Sequence, residues 1–473
     1  MDNAGNDDEV TFKVLTLNCW GLKFVSKLRK ERFKAISEYI YNSGSEYDVV
    51  FLQEVWCQSD FETLKAKLCT SQGQYGDGTD FNVPYPYAHY FSNGIIGSGT
   101  CILSKFRLLQ ANYHEFSMNG YPTRFWHGDW FASKGIGVCQ IRIDSKNQKK
   151  QPNIFDIHLY LSHYHANYED INDDRYLGHR VVHAFESAQW VKLTSSSADL
   201  TIYAGDFNTE PDSLPYRILC GLTSLQDAWK EFTKHLPDGD VRKNRSSGCT
   251  SETLANSFTQ IPTSSNCNRS NPSSYDEIKT EGKRIDYIMY SAGPNMTVNL
   301  LSCSLPLPDK VPGENYSFSD HEAVDAVFRL KRDMKQVTSI QHKDEVHKTN
   351  DCNELSTDSK KELKKENDYA NVVKEAIEVM ERTLASVSKG NTKYACYSIL
   401  SLFLFIATFI PAGVESLSFV ERIAANLGLF IPRLLLVGAI AIFGLMGTLF
   451  QKREKNAIKE TKSQLMLILE QDI

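Results

Sequence analysis

Four short polar motifs, each at the end of an apolar run, hold the residues with which this chain could do chemistry. They are Leu17–Gly21 (LNCWG), Gln53–Trp56 (QEVW), Gly205–Asn208 (GDFN) and Ser319–Glu322 (SDHE), and Ser162–His165 (SHYH) lies between the second and the third. Together they supply carboxylates, amides and imidazoles, the groups that a divalent cation and the water-driven cleavage of a phosphate ester require. The motifs therefore predict metal-dependent phosphodiester hydrolysis.

Glu54 is the first candidate ligand for the cation. It follows an apolar strand-like run, and one carboxylate at a strand end can hold Mg²⁺ while waters and a substrate phosphate complete the octahedron. Taken alone the signal is weak, because a glutamate after a strand is usually an ordinary surface residue. Asn18 could likewise be an ordinary turn former after the first strand.

Asp206 and Asn208 form the second candidate group. Residues two positions apart in an extended segment point to the same side, so this pair can hold water and phosphate oxygens together, and Gly205 allows a close backbone approach. A Gly-Asp-x-Asn turn without any function is about as common as one with a function.

Asp286 lies in the apolar run 284–290, where an uncompensated charge would be costly. His321 is the natural partner, since a histidine that takes a proton from water gains from a carboxylate that fixes its tautomer and stabilises the imidazolium. The alternative is an ordinary ion pair between Asp286 and Arg284, or a hydrogen bond to a buried backbone group. We assign His321 as the general base.

His163 and His165 are the remaining imidazoles near strand ends. A single histidine more often completes a hydrogen-bond network than does chemistry, but a second histidine beside strand ends that carry Glu, Asp and Asn favours catalysis. We expect His163 to donate to the phosphoryl oxygens as negative charge builds, and His165 to have a supporting role.

Strand-like runs alternate with helix-like runs from Val10 to about Arg332. Alternation of this kind predicts an α+β fold in which helices cover packed sheets, as one domain over residues 10–330. The strands are expected at 12–17, 49–52, 136–141, 200–204 and 284–290, and the helices at 29–42 and 178–192. A polar stretch over 238–283 predicts a long insertion loop.

The C-terminal part has a different composition. Residues 331–368 are dense in charge and predict a solvated linker, and residues 369–390 carry apolar side chains at helical spacing. That helix would either lie on a membrane or associate with a second copy of the chain.

Two uncharged apolar runs follow, at Tyr394–Gly413 and Leu434–Phe450. Each approaches the length that crosses a bilayer, the second if it begins near residue 430 and Arg433 reaches the interface. We therefore predict two transmembrane helices, 394–413 and 430–450, and a tail over 451–473. A tight re-entrant pair is an alternative, and a pair of buried core helices is the less favoured one.

Charge and cysteine content indicate where the domain resides. Lys389, Lys393 and Lys452 flank the apolar runs, so the positive-inside rule places both ends in the cytosol. The first ten residues are acidic and contain no apolar signal segment. The 11 cysteines are scattered without a CxxC pair, as in proteins with reduced thiols and no structural zinc. The short spans favour the endoplasmic reticulum.

The net charge of −6 weakens a nucleic-acid-binding function, which normally needs a basic stripe.

Taken together, LNCWG, QEVW, GDFN, Arg284–Tyr287 (RIDY) and SDHE resemble, in order, the motifs of the endonuclease/exonuclease/phosphatase superfamily, over residues 10 to about 328. That resemblance implies the DNase I-like four-layered α/β sandwich. Within the superfamily the sequence is most similar to the neutral sphingomyelinases, on the segments Gly120–Pro122, His127–Phe131 and Gly178–Arg180. One departure is SHYH, where that family has Thr-His-Leu-His.

The resemblance implies roles for the site residues. Glu54 would bind Mg²⁺ with Asn18 and Asp320 near it, Asp206 and Asn208 would hold the nucleophilic water and the phosphate, and His163 and His321 would be catalytic. The implied reaction is the hydrolysis of sphingomyelin to ceramide and phosphocholine on the cytosolic leaflet by an integral membrane enzyme.

Several alternatives stay open. The same fold could act on lysophospholipids such as lyso-platelet activating factor as a phospholipase C, or on nucleic acids or inositol phosphates, and the chain could also be a catalytically silent membrane scaffold. The aromatic residues of segment 125–131 could wedge into a lipid surface or belong to the core. Ser133–Gly137 superficially resembles a phosphate loop but lacks the full spacing.

Overall fold

The computed structural model describes residues 9–43, 46–69, 83–121, 124, 127–144, 153–168, 174–259, 282–333, 357–413 and 417–471. Residues 125 and 126 of the aromatic segment, most of the charged stretch 331–368 and residues 260–281 of the insertion lie outside these ranges. The described residues form two six-stranded sheets that pack face to face.

Twelve strands build the two sheets. In chain order they are β1 Glu9–Asn18, β2 Val49–Gln53, β3 Tyr87–Tyr90, β4 Cys101–Ser104, β5 Leu108–Glu115, β6 Gly135–Asp144, β7 Ile154–His163, β8 Leu200–Asp206, β9 Gln226–Asp227, β10 Asp286–Ala292, β11 Met296–Ser304 and β12 Val324–Arg332. The first sheet has the order β11-β12-β1-β2-β4-β3 and the second the order β5-β6-β7-β8-β10-β9. The pairs β1–β2 and β7–β8 are parallel, and the other neighbours are antiparallel.

Helices cover the outer face of each sheet and continue beyond them. They are α1 Arg29–Asn42, α2 Gln58–Leu68, α3 Leu177–Thr194, α4 Leu214–Leu222, α5 Ala228–Lys234, α6 Thr357–Ala407, α7 Ile410–Gly413, α8 Phe419–Gly428, α9 Phe430–Leu445 and α10 Gln451–Gln471, with a π-helical turn Met446–Phe450 before α10. Because α1 and α2 pack on the first sheet and α3 and α4 on the second, the expected four-layered sandwich is confirmed.

The alternation of side chains along β1 shows how the layers form. Phe12 and Val14 lie between the two sheets, whereas Leu15 and Leu17 contact the core under α1. A strand with apolar residues on both faces is typical of a sheet that is covered on both sides. The strands and helices expected from the sequence are all present.

Strand direction brings the polar motifs to one edge of the sandwich. The carboxyl ends of the parallel pairs meet there, with Asn18 opposite Gln53 and His163 opposite Asp206. The antiparallel strand β10 begins at the same edge, with Asp286 opposite Asp206. Residues far apart in sequence therefore meet without any unusual loop.

The first half of the predicted insertion 238–283 is not a solvated loop, because part of it is buried against the site. Thr250 and Ser251 are buried, and Ser251 forms isolated bridges with Lys283 and His321. The hydroxyl of Thr250 also accepts hydrogen bonds from the backbone N–H groups of Ile285 and Asp286 at 3.1 Å. This segment is part of the support of the site, which composition alone did not indicate.

The apolar face of the predicted helix 369–390 is covered within the chain. Val373, Ala376 and Met380, on α6, are buried in the core that also contains residues of α3 and α4, and Ile458 and Leu465 of α10 join them. Our expectation that this face contacts a membrane or a second copy is therefore wrong, because α3, α4 and α10 already occupy it.

The apolar C-terminal segments are largely exposed. Within the described residues, one continuous helix, Phe430–Glu470, is long and apolar enough to cross a bilayer. The expectation of a second span over 394–413 is not met by a continuous helix, because α6 ends at Ala407 and a separate short helix begins at Ile410. All cysteines in the described residues are free thiols, as expected.

A close contact between α3 and α6 generates a first prediction. A Cβ atom at Gly178 would lie 2.4 Å from the hydroxyl oxygen of Thr383, which is itself held by a 2.8 Å hydrogen bond to the carbonyl of Val379. We expect Gly178→Ala to lower the free energy of unfolding by about 1–3 kcal/mol through overpacking, as measured by chemical denaturation of the full chain in detergent.

Gly221→Ala is the matched control, since a Cβ atom at Gly221 would meet only Tyr369 of the same α6 at 3.8 Å. That variant should be neutral or slightly stabilising, because alanine favours a helix more than glycine does. Equal stability of the two variants would show that α3 and α6 are not in this close contact.

Candidate active site

The side-chain amide of Asn18 joins the two sheets at the edge where the motifs meet. Its Nδ2 donates to Glu54 Oε1 at 3.0 Å and to Asp206 Oδ2 at 2.9 Å, while its Oδ1 accepts from the backbone N–H of Trp20 at 2.9 Å. Because both amide hydrogens point at carboxylates, the amide has one sensible orientation. Asn18 thereby fixes the positions of Glu54 and Asp206.

Glu54 follows β2 in a left-handed conformation, with φ of 57°. This conformation is uncommon for a residue other than glycine and often marks a functional site. One oxygen, Oε1, accepts from Asn18, and the other, Oε2, is buried without a hydrogen-bond partner. A buried carboxylate oxygen without a donor is costly unless a cation or water satisfies it.

Asp320 lies on the wall of the same cavity as Glu54. Burial raises the pKa of Asp320 to about 6, with the charge of Glu54 adding to the effect and His321 and Arg32 opposing it. A divalent cation bound between two neighbouring carboxylates would remove the repulsion between their charges. The donor set of Glu54 and Asp320 therefore fits a hard metal ion.

A second acidic group lies close by. The ligand atoms of Asp206, Asp286 and His321 are all within 4.8 Å of one another. In this group the Nδ1 atom of His321 is already bound to Asp286, whereas Asp286 Oδ1 is buried without a hydrogen-bond partner, as Glu54 Oε2 is. The site as a whole has acidic and imidazole groups that could hold a metal.

Asp206 and Asn208 face the same space, although not through an extended segment as the spacing argument assumed, because Asn208 follows the end of β8 with φ of 45°. Asp206 Oδ1 accepts from the backbone N–H of Asn208 at 2.9 Å, and Asn208 Nδ2 lies 3.1 Å from Asp206 Oδ2 and 3.0 Å from the carbonyl of Tyr164. Burial raises the pKa of Asp206 to about 7, and the charge of Asp286 contributes next. Its carboxylate is therefore a stronger proton acceptor than an exposed aspartate.

Asp286 and His321 form the expected pair, with 2.8 Å between Asp286 Oδ2 and His321 Nδ1. Burial acts to lower the pKa of His321, but the carboxylates of Asp286 and Asp206 outweigh it and raise the pKa well above its ordinary value. The alternative partner, Arg284, instead binds Asp227 at 2.8 Å. The Nε2 atom of His321 is left facing Asp206, 4.0 Å away.

His163, at the end of β7, is the histidine that enters the site. Its Nε2 lies 3.5 Å from Asp206 Oδ2 and 4.0 Å from Glu54 Oε1. Burial and then the charge of Lys134 lower the pKa of His163 well below its ordinary value, so the imidazole is neutral. His165 instead stacks on Tyr176 at 4.0 Å and binds the carbonyl of Ala166 through Nδ1.

Lys134 is a residue of the site that the sequence reasoning missed. Its ammonium is buried and lies 2.6 Å from Asp129 Oδ1, 2.8 Å from the carbonyl of Tyr164 and 3.3 Å from His163 Nε2. The signal was available, because a lysine followed by the strand GIGVCQI is a charge beside an apolar run. We set that segment aside when its spacing did not match a phosphate loop.

Arg32 is a second missed residue, on the face of α1 that carries Ile36. It is fully buried, and its guanidinium donates to the carbonyls of Cys19 at 2.7 Å, Trp20 at 2.6 Å and Phe318 at 3.2 Å. These bonds tie the segment after Asn18 to the segment before Asp320. Its position four residues before Ile36 was the available signal.

All eight residues assigned from the sequence belong to this one edge. Six of them line a cavity of about 1170 Å³, namely Glu54, His163, Asp206, Asn208, Asp320 and His321, and Asn18 and Asp286 lie directly behind it in contact with Asp206 and His321. Lys134 and Trp56 also line the cavity. The arrangement can hold an anionic group and activate water beside it.

The model of the Endonuclease/Exonuclease/phosphatase family matches residues 15–321 of the chain. That range contains every residue assigned to the site.

Curated relatives match much of the chain. A putative neutral sphingomyelinase of Drosophila melanogaster is 36% identical over 67% of this chain and 60% of its own length. Sphingomyelin phosphodiesterase 2 of Mus musculus is 31% identical over 68% of this chain and 66% of its own length. The inositol phosphosphingolipids phospholipase C of Schizosaccharomyces pombe is 30% identical, over 67% of this chain and 68% of its own length. The chain thus spans about 60 to 66% of the length of the first two relatives.

The unpartnered oxygen of Glu54 generates a second prediction. We expect Glu54→Gln to weaken the binding of Mg²⁺ or Mn²⁺ by at least about tenfold, because an amide lacks the charge that a hard cation requires. Isothermal titration calorimetry of the full chain measures this. Glu186→Gln is the control, since Glu186 binds His114 and Ser117 and does not line the cavity; equal metal affinity of both variants would remove Glu54 from the metal site.

Proposed function

The chain belongs to the Endonuclease/Exonuclease/phosphatase family, and from that premise we propose that it is a Mg²⁺-dependent phosphodiesterase that hydrolyses sphingomyelin to ceramide and phosphocholine. The observation that carries the proposal is the convergence of Glu54, Asp206, Asp320 and the Asp286–His321 pair on one cavity. The names of the Drosophila and mouse relatives supply the substrate class.

His321 accepts the proton of the attacking water in this mechanism. Its Nδ1–H donates to Asp286, and because the carboxylates of Asp286 and Asp206 raise the pKa of His321, the ring acts as a base only after Nε2 has lost its proton and its lone pair faces the cavity. The carboxylate of Asp286 stabilises the imidazolium that forms. The water oxygen bonds to phosphorus and the bond from phosphorus to the ceramide oxygen breaks; that oxygen takes a proton from solvent water, and His321 returns the proton of the attacking water to solvent.

Other side chains hold the phosphate while charge builds on it. Asn208 and Lys134 lie on the cavity wall, and their donor groups, which bind Asp206, Asp129 and the carbonyl of Tyr164, would turn to the phosphate to stabilise the developing oxyanion. His163 would act as the neutral donor we assign to it from the sequence. Its Nε2 lies between the ammonium of Lys134 and the carboxylate of Asp206, so a bound phosphate must displace one of them.

Glu54 and Asp320 would hold the Mg²⁺ ion, with Asn18 orienting Glu54. When bound, the ion supplies Lewis-acid polarisation of the phosphoryl oxygen and neutralises part of its charge. The role of Asn18 as a direct ligand stays a prediction, since its Oδ1 accepts from the backbone of Trp20.

We further propose that the chain is anchored by a helical hairpin with its catalytic domain in the cytosol. In support, α9 runs against the end of α6, where Ser398 donates to the carbonyl of Ile440 at 3.3 Å and Arg433 to the hydroxyl of Thr408 at 3.0 Å. At the other end Gly390 lies against Gln451. From Arg433 to Gln451 the helical segment is about 27 Å long, at ~1.5 Å per residue. This length suits the thin bilayer of the endoplasmic reticulum.

Two other substrates share the same chemistry at phosphorus. The name of the fission yeast relative points to sphingolipids with an inositol phosphate head group, and a lysophospholipid would present a similar phosphodiester. A sphingolipid is common to the names of the animal and yeast relatives, and the Drosophila and mouse relatives, which are the more similar in sequence, are named for sphingomyelin; sphingomyelin is therefore the substrate that we place first.

A panel of lipids tests the substrate. We expect the detergent-solubilised full chain with Mg²⁺ to release phosphocholine from sphingomyelin, with kcat/KM at least about tenfold above the values for lyso-platelet activating factor and an inositol phosphosphingolipid. Phosphocholine and inositol phosphate are quantified by mass spectrometry in mixed micelles. A higher kcat/KM for either of the other lipids would show that this lipid, and not sphingomyelin, is the preferred substrate. Release from none of the lipids would favour the alternative of a catalytically silent membrane scaffold.

Removing one charge tests the mechanism. We expect Asp286→Asn to reduce kcat by roughly 10²–10⁴, because an amide neither fixes the histidine tautomer nor stabilises the imidazolium. His321→Ala should reduce kcat at least as strongly, and the double variant no further than the more severe single variant. The unfolding midpoint checks that each variant is folded, and near-normal turnover of folded His321→Ala would exclude His321 as the base.

A further inference from the structure

We propose that two loops at the mouth of the catalytic cavity form an apolar rim that inserts into the surface of a phospholipid bilayer. The rim consists of Phe24, Val25 and Leu28 in the loop after β1 and of Ile95 and Ile96 in the loop between β3 and β4. The inference rests on the membrane-bound phosphodiesterase proposed above and adds the surface through which the cavity meets its lipid.

The rim residues are unusually exposed for their type. Phe24 is 94% exposed, Val25 66% and Ile95 77%, and exposed apolar side chains that cluster mark interaction surfaces. Phe24 and Leu28 also have left-handed backbone conformations, with φ of 71° and 50°. For bulky residues this conformation costs energy, and such conformations are found most often at functional sites.

The rim adjoins the cavity that contains the candidate catalytic residues. Val25 and Ile96 line the same cavity as Glu54 and His321, and the loop that carries Phe24 follows directly after Asn18, the last residue of β1. Both loops therefore contribute an apolar side chain to the wall of the catalytic cavity. An apolar mouth around a polar cavity suits a substrate with a polar head group and apolar tails.

Contacts connect the rim to the apolar helix. The backbone N–H of Ile96 donates to the carbonyl of Phe131 at 3.4 Å, and the ring of Phe131 packs against that of Trp130 at 4.9 Å. Trp130 in turn packs against Phe450, with 5.3 Å between the ring centroids. Phe450 is the last residue of the predicted apolar run, so the rim and the membrane-proximal end of that run lie along one connected surface.

The lysines beside the rim favour a lipid bilayer as the surface that the rim binds. Lys23, Lys27 and Lys30 are exposed beside Phe24 and Val25, and the ammonium of Lys23 lies 5.1 Å from the ring of Phe24. Lysines that flank apolar tips place their charges among lipid head groups while the tips enter the acyl boundary. The aromatic segment considered from the sequence, in its residues Trp130 and Phe131, thus links the rim to the apolar helix.

Depth-dependent fluorescence tests the rim without using activity. The full chain is reconstituted into phosphatidylcholine vesicles, and the tryptophan fluorescence that Phe24→Trp adds to the parent chain is measured with brominated lipids. We expect this added signal to be quenched by more than about half, as for a side chain in the acyl boundary. Leu193→Trp is the control, because Leu193 is also strongly exposed, at 77%, but lies at the end of α3.

Vesicle flotation separates the two proposals. A chain that floats with the vesicles but whose Phe24→Trp signal is quenched no more than that of Leu193→Trp overturns the rim and leaves the anchor standing. A chain that does not float overturns the anchor and the rim together. Quenching of Phe24→Trp in a chain that hydrolyses no lipid supports the rim and rejects the proposed activity.

A kinetic test uses the double variant Phe24→Asp with Ile95→Asp. We expect hydrolysis of sphingomyelin in vesicles to fall by about tenfold or more, because aspartate opposes entry into the bilayer surface, while hydrolysis of a short-chain monomeric substrate is kept. Leu193→Asp should change neither rate. An equal loss on both substrates, or a change in oligomeric state on removal of the rim, would overturn the proposal in favour of a structural or protein-binding role.

Discussion

The hydrogen bonds of one buried amide, Asn18, hold the catalytic edge of this protein together. Its two N–H groups bind a carboxylate that follows the first sheet, Glu54, and a carboxylate that ends a strand of the second, Asp206. Two buried carboxylates repel each other, and a neutral double donor between them reduces that conflict. The spacing of the two sheets at this edge, and hence the shape of the cavity, depends on this contact.

The remaining buried charges are arranged around that contact as compensated pairs. Asp286 has His321 as its partner, Asp129 has Lys134, and Asp227 has Arg284. Glu54 Oε2 and Asp286 Oδ1 are left buried without hydrogen-bond partners. Asp174 Oδ1 and Glu454 Oε1 are also buried without a partner, so Glu54 Oε2 indicates a ligand site through its place on the cavity wall.

The C-terminal helices pack against the folded domain. Because α6 and α10 bury Met380 and Leu465 against the same core as α3 and α4, the apolar helix is an extension of the folded domain. A flexible tether would let the cavity face any direction, whereas this packing fixes its orientation. The contact between Trp130 and Phe450 lies where the two parts meet.

The sequence by itself predicted the two-sheet α/β sandwich and eight candidate site residues that the structure brings to one edge, because strand periodicity and polar residues at strand ends are local signals. It did not determine that His163 and not His165 enters the site, that Lys134 and Arg32 support it, or that α3 and α4 cover the face of residues 369–390. These depend on which side chains meet across sheets and between distant helices. Periodicity identifies the buried face of an element, but the partner of that face is decided only by tertiary packing.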